Sequence, residues 1–247
     1  ESVKKNKKEI RKKKKESPNR KIVVTGCAAQ IEPETFQRMP EVDQVIGNIE
    51  KRHIHSNLEK NNRVEVQDIM SLNNSLNGLK KGYSDRTRAF VEIQNGCNHR
   101  CTFCIIPYGR GNLRSKKSKS IVKEIKTLIV EGHKEIILTG VDIASWGQDF
   151  EKEGKLGELV KDILKELPKL ERLRLSTMDV IGFDNILIEN ITQNDRILPH
   201  IHLSLQSGDN MILKRMKRRH SREEAIKLCY RLKKARPEIS FGADLIV

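Results

Sequence analysis

Cys97, Cys101 and Cys104 lie within eight residues of one another in the stretch RAFVEIQNGCNHRCTFCIIPYGRGN, residues 88–112. Thiolate sulfur is the usual ligand of iron–sulfur clusters. Three thiolates so spaced can hold three irons of a four-iron cluster and leave the fourth open for chemistry. The same residue types could instead make a zinc site, which needs a fourth ligand such as His99, Cys27 or Cys229. Zinc knuckles pair their ligands as C-x2-C with a second pair further on, whereas here three cysteines cluster and the other two are distant in sequence. The apolar run from Ala89 to Ile93 reads as a buried strand. The thiols then sit where a strand's carboxyl end opens into a loop, the place where α/β barrels keep their active sites.

The elements around this loop follow from periodicity. Apolar runs at 89–93, 135–141, 172–177, 200–207 and 239–247 alternate with helical stretches at 120–132, 156–167, 184–191 and 221–235. Leu159, Ile163 and Leu167 have helical spacing, and Ser221 with Glu224 forms a capping box. The expectation is an α/β fold, a (βα) series on a parallel sheet over residues 87–247. Upstream, a strand from Lys21 to Val24 runs into Thr25, Gly26 and Cys27, a short helix follows, and a second strand covers 42–47. This small α/β unit, residues 1–55 with a basic leading segment, presents Cys27 at a strand's carboxyl end. On its own Cys27 also fits a small buried core residue, and Cys229, in phase with Ile226 and Leu232 on a helix face, reads as core. Residues 56–86 are rich in Asn, Ser, Lys and Glu, with one possible strand at RVEVQDI, and read as a linker.

Polar residues in the loops after the strands are the candidate cofactor contacts. They are Gly140 and Asp142 after the second strand, Ser176 and Asp179 after the third, and Gln206 and Arg219 after the fourth. Gly140 is expected to let backbone approach a ligand closely.

The chain has 247 residues, enough to bury a full core, and a net charge of +15. Residues 1–21 hold eleven Lys or Arg against three Glu, so about half of the excess lies in one short segment. Such a surface favours a phosphate-rich partner, although KKNKKEIRKKKK also fits a solvated helix end. Arg110, Arg114, Lys116, Lys117 and Lys119, just beyond the cysteine loop, are placed to meet RNA phosphates, although they fit a solvated loop nearly as well. No apolar run approaches the roughly 18 residues of a membrane span, and the basic start leads into no apolar signal segment. Five cysteines grouped as one, three and one suggest no disulfide framework and point to a reducing cytoplasm. The chain begins at Glu1 and stops within the strand-like FGADLIV, as a fragment would.

The spacing C-x3-C-x2-C, with Phe103 before the last cysteine, resembles the signature of radical S-adenosylmethionine (radical SAM) enzymes. In order, TGCAAQ, VIGNIEK, NGCNHRCTFCIIPYGRGN, LTGVDIASWG, RLRLST and LSLQSGDNMILKRMKRRH resemble the methylthiotransferase family of that superfamily. They are most similar to the branch acting on N6-threonylcarbamoyladenosine at position 37 of tRNA. The resemblance implies a partial (β/α) radical SAM barrel, cut before its last strand, preceded by part of a cluster-binding domain. It implies a 4Fe–4S cluster on Cys97, Cys101 and Cys104, SAM on the open iron, and a second 4Fe–4S cluster in which Cys27 takes part. It also implies tRNA as substrate and an electron donor such as flavodoxin. The hydrogen on carbon 2 of adenine has no acidic character, so replacing it suits a radical better than acid–base catalysis. Two N-terminal cysteines of the family pattern and its C-terminal RNA-binding TRAM domain have no counterpart here. Relatives acting on isopentenyladenosine of tRNA or on a ribosomal-protein aspartate, a zinc-bearing RNA-binding module, and an inactive fragment remain as alternatives.

Overall fold

Residues 2–54, 62–71 and 87–246 are described in the computed structural model of the chain. It divides into two compact units, Glu1–Leu72 together with Ile105–Asn112, and Asn73–Cys104 together with Leu113–Val247.

In the first unit, β1 (Val23–Thr25), β2 (Gln44–Ile46) and β3 (Val64–Glu65) form a parallel sheet in that order. The basic segment is helix α1 (Ser2–Glu16), whose Val3 and Ile10 pack on a core of Ala29, Phe36, Met39, Val42 and Val45. Packing of two apolar side chains is what holds this lysine-rich helix to the unit, and Lys14 adds an ion pair to Asp43 at 3.2 Å. Helices α2 (Cys27–Ile31), α3 (Pro33–Gln37) and α4 (Ile106–Arg110) complete the unit. Because β3 is the third strand of this sheet, residues 62–71 belong to the first unit and not to a linker. The rest of the stretch read as linker lies outside the described residues.

The second unit is the (βα) series. Strands β4 (Arg88–Glu92), β7 (Glu135–Thr139) and β8 (Arg172–Leu175) pair in parallel, and β9 (His200–Gln206) pairs in parallel with β10 (Ser240–Leu245). A parallel bridge between Met178 and Leu203 carries the series from the β8 end to β9. A short antiparallel pair, β5 (Gln94–Asn95) with β6 (Arg114–Ser115), has no counterpart in the sequence reading, since two-residue strands have no visible period.

Helices α5 (Ser118–Val130), α6 (Leu156–Glu166), α7 (Asn185–Gln193), α8 (Asn210–Arg215) and α9 (Arg222–Ala235) connect or follow the strands. The helices present one apolar stripe each: Ile121, Ile125 and Leu128 of α5, and Leu159, Val160 and Ile163 of α6, are buried with Val91, Ile136, Leu138 and Leu173 of the sheet. The capping box holds, with Ser221 Oγ accepting from Glu224 N at 3.2 Å and Glu224 Oε2 accepting from Ser221 N at 2.7 Å.

Lys116 and Glu124 are both buried and pair at 2.6 Å. Removing one partner leaves a charge without compensation in a poorly solvated place. Glu124→Gln is therefore expected to lower the unfolding free energy by about 3–5 kcal/mol, and the double change Lys116→Met with Glu124→Leu to recover most of it. Urea titration reads both; a single-variant loss below about 1 kcal/mol, the value of an exposed pair, contradicts the argument.

Candidate active site at the cysteine loop

The β5–β6 pair closes the base of the excursion that carries the cysteines. Gly96 follows β5 with φ 73°, a conformation that favours glycine, and turns the chain into Cys97. Buried Gln94 braces this turn: its Nε2 donates to Gly96 O, and its Oε1 accepts from Asp142 N at 2.7 Å. A Cβ on Gly140 would lie 2.7 Å from Gln94 O and 2.8 Å from Gln94 Oε1. Gly140 therefore permits a close approach of Gln94.

All five cysteines are free and half-buried. Cys97 Sγ accepts from His99 N at 3.4 Å and lies 3.7 Å from Asp142 Oδ2. Burial, and then the Asp142 carboxylate, push the Cys97 thiol up to about 11. Cys101 is held differently. Arg218 Nη1 lies 3.8 Å from its sulfur, and Lys217 O lies 4.0 Å away on the same turn. Cys104 N donates to Cys101 O at 3.0 Å, so the last two cysteines sit on one tight turn.

Two carboxylates and two guanidiniums lie beside these sulfurs. Arg219 Nη2 is 3.0 Å from Asp179 Oδ2 and 3.7 Å from Asp142 Oδ2, while Arg218 Nη2 is 3.2 Å from Asp179 Oδ2. His220 Nδ1 adds a contact to Asp179 Oδ1 at 3.1 Å. Asp142 also accepts from Ser145 Oγ at 2.7 Å and faces His99 Nε2 at 3.3 Å. Burial opposes ionisation of both aspartates. The His99 and Ser145 hydrogen bonds with the Arg219 charge outweigh it at Asp142, and His220 with the two arginines outweighs it strongly at Asp179. Both carboxyls are held below the usual range.

Of the expected cofactor contacts, the structure gathers Asp142, Asp179 and Arg219 beside the thiols. Ser176 and Gln206 stay outside this network: Ser176 Oγ is buried with no hydrogen-bond partner, and Gln206 takes φ 70° where β9 ends. In the same turn Ser207 Oγ accepts from Asp209 N at 3.2 Å, and Asp209 caps α8, its Oδ1 accepting from Ile212 N at 2.8 Å.

The radical SAM superfamily profile matches residues 91–247, which includes all three clustered cysteines. The chain belongs to the radical SAM superfamily. It is similar to the threonylcarbamoyladenosine tRNA methylthiotransferase MtaB of Rickettsia prowazekii (strain Madrid E), 47% identical over 96% of this chain and 56% of that protein. It is also similar to a tRNA-2-methylthio-N(6)-dimethylallyladenosine synthase of Clostridium botulinum (strain Hall), 37% identical over 95% of this chain and 53% of that protein. The chain thus spans about half the length of the curated relatives it matches. Among solved structures, the cobalamin-dependent radical SAM enzyme OxsB, with aqua-cobalamin and S-adenosylmethionine bound, aligns over 91% of this chain and 36% of its own, with TM-score 0.61 and 15% identity. That likeness concerns the fold.

The radical SAM loop fits the zinc alternative less well. Among the described residues, one group of potential ligand atoms lies within 4.8 Å of one another: Cys97, His99 and Asp142. It excludes Cys101 and Cys104 and offers three ligands where a closed zinc site has four. Cys229 is half-buried and lines an apolar groove with Leu205, Ile226, Tyr230 and Phe241, so it is less enclosed than a core residue. In the first unit, Cys27 follows β1 and Gly26, whose φ of 116° favours glycine. Asn48 Nδ2 lies 3.8 Å from Cys27 Sγ and also donates to Gly109 O, and a Cβ on Gly109 would lie 3.0 Å from that sulfur. Of the basic residues assigned to RNA, Arg114 and Lys116 are buried and so are unsuited to phosphate; Lys117 and Lys119 are exposed. Among the described residues no helix is long and apolar enough to cross a membrane.

Gln94, Ser145 and His220 build this site without having been singled out as contacts. A basic run ending in histidine, KRMKRRH, was the available signal for His220, but its acidic partner, Asp179, lies about forty residues upstream.

Asp179 gives a pH test. Its folded pKa lies below the unfolded value of about 3.9, so its contribution is complete above that value and is lost as pH falls toward the folded pKa. Asp179→Asn is expected to cost about 3–5 kcal/mol at pH 7, with the gap to the unaltered protein closing on acidification below about pH 3.9. Denaturant unfolding across pH measures it, and a gap independent of pH would show that the ionised carboxylate is not what stabilises the fold.

Proposed function

We propose that this chain is the cluster-bearing part of a tRNA methylthiotransferase. In it, Cys97, Cys101 and Cys104 hold a 4Fe–4S cluster, SAM binds beside them, and carbon 2 of N6-threonylcarbamoyladenosine-37 is the site of modification. The observation that carries this reading is the arrangement of three free, half-exposed thiols on one loop at the carboxyl ends of parallel strands. The donor geometry fits thiolate ligation: an N–H from His99 points at Cys97 and one from Arg218 at Cys101. When bound and reduced, such a cluster supplies one electron to the sulfonium of SAM, breaking a sulfur–carbon bond to give methionine and a 5′-deoxyadenosyl radical.

The chain's own residues do the positioning. Gly96 and Gln94 aim the first thiol out of the sheet, and the turn after α8 supports the second. Arg219, held by Asp142 and Asp179, offers a fixed cation to a ligand carboxylate, and Asp142 an acceptor to a ligand amine. Cys27, with an amide N–H from Asn48 directed at its sulfur, is suited to take part in a second cluster that supplies sulfur. The threonylcarbamoyl substrate rests on the 47% identity to the Rickettsia protein, against 37% for the dimethylallyl relative. An electron donor of the flavodoxin type and a reducing cytoplasm accord with this chemistry.

Changing Cys97, Cys101 and Cys104 together to Ala in the complete enzyme is expected to abolish iron and sulfide binding and SAM cleavage while leaving the circular dichroism spectrum in place. A colourless zinc protein, or SAM cleavage that survives the triple change, defeats the reading. Mass spectrometry of tRNA nucleosides from a deletion strain decides the substrate: loss of the methylthio group from threonylcarbamoyladenosine supports it, and loss from isopentenyladenosine alone refutes it.

A further inference from the structure

The three sulfurs do not share one electrostatic environment. Cys97 faces a carboxylate at 3.7 Å, whereas Cys101 faces the guanidinium of Arg218 at 3.8 Å. Arg218 is itself clamped: Nη2 is 3.2 Å from both Asp179 Oδ2 and Ser204 Oγ and donates to Ser204 O, and its side chain is only 9% exposed. The loop is tied to the same turn a second time, since Thr102 N donates to Met216 O at 3.2 Å and Thr102 Oγ1 to Arg215 O at 3.3 Å. Lys217, between these anchors, takes φ 57°, so the turn adopts a conformation disfavoured for lysine and is held in it by its neighbours.

We infer that Arg218 is a positioning residue for Cys101 and raises the reduction potential of the cluster that Cys101 ligates. The inference rests on the assignment of a 4Fe–4S cluster to this loop. An N–H donated by a cation to a ligand sulfur stabilises negative charge there, and the reduced cluster carries one more electron than the oxidised one. The interaction is therefore stronger in the reduced state. It acts where water competes little, because the guanidinium is buried and fixed by a carboxylate and a carbonyl. Arg219 cannot substitute, since its own cation is directed to Asp142 and Asp179.

Arg218→Gln and Arg218→Lys in the complete enzyme, reconstituted without oxygen, are titrated against redox mediators while the reduced cluster is followed by electron paramagnetic resonance. At one fixed solution potential the ratio of reduced to oxidised cluster is expected to fall about tenfold in Arg218→Gln, equivalent to about 59 mV for a one-electron couple. Arg218→Lys is expected to fall by less but measurably, because an ammonium held by Asp179 cannot also present a planar fork to the sulfur. A titration of Arg218→Gln that superimposes on the unaltered enzyme overturns the inference. Should Arg218→Gln take up no cluster, a superimposed titration of Arg218→Lys overturns it in the same way. If the unaltered enzyme itself holds no iron on Cys97, Cys101 and Cys104, the cluster assignment has failed.

Discussion

The ion network of Asp142, Asp179, Arg218 and Arg219 is the interaction on which the site depends. Two carboxylates against two guanidiniums leave the group close to neutral, and that balance is what makes its burial tolerable. Each member comes from a different part of the chain: Asp142 follows β7, Asp179 follows β8, and the arginines follow α8. Pairing them fixes the loops after successive strands against one another, at the end of the sheet where the thiols emerge. A single missing member would leave a buried charge unmatched, so the network tolerates few arrangements other than the one seen.

This network also places the thiols in unlike fields. Asp142, on one side, disfavours a thiolate at Cys97, while on the other the Arg218 guanidinium lies 3.8 Å from the Cys101 sulfur. Metal binding requires deprotonated sulfur, so loading Cys97 must overcome both its burial and its carboxylate neighbour. On the proposed assignment of Cys97 to the cluster, iron supplies the positive charge that the thiol otherwise lacks, and Asp142 keeps acceptor roles toward Ser145, His99 and Arg219 when the thiol proton leaves. The site is thus poorly suited to hold charge when empty and well suited to hold it when a cation is present.

Much of the fold was legible because periodicity reports burial directly. The five principal strands are apolar runs whose ends lie within two residues of where they were expected, and the helices between them make a parallel sheet the natural solution. The clustered cysteines were legible because their chemistry is carried by spacing alone. What escaped was whatever depends on partners distant in sequence. The packing of Gln94 against Gly140 had no sequence signal, and Lys116 looked like a phosphate contact because Glu124, which neutralises it, sits nearly two helix turns inside α5. Residues 62–71 sit in a polar, linker-like stretch, but the strand suggested by RVEVQDI does form, and its pairing with β2 makes it part of the first sheet.

The same reasoning limits what the charge of +15 can mean for an RNA partner. Counting residues treats every lysine and arginine as available, but Arg114, Lys116 and Arg236 are buried, and Arg218 and Arg219 are committed to aspartates. In α1 the lysines point outward because Val3 and Ile10 take the inner face, and some of that charge is offset by Glu9, Glu16 and Asp43. Counterion release depends on cations that can reach a phosphate, so the electrostatic attraction this chain offers should be assigned to exposed residues such as those along α1, Lys117 and Lys119. Arg218 and Arg219 of the β9–α9 segment are thus held by Asp179 beside the thiols, whereas the cations able to meet a polyanion are those of the surface. Within the single run KRMKRRH, Lys214, Arg215 and Lys217 are exposed, whereas Arg218 and Arg219 pair with Asp179 and His220 is buried.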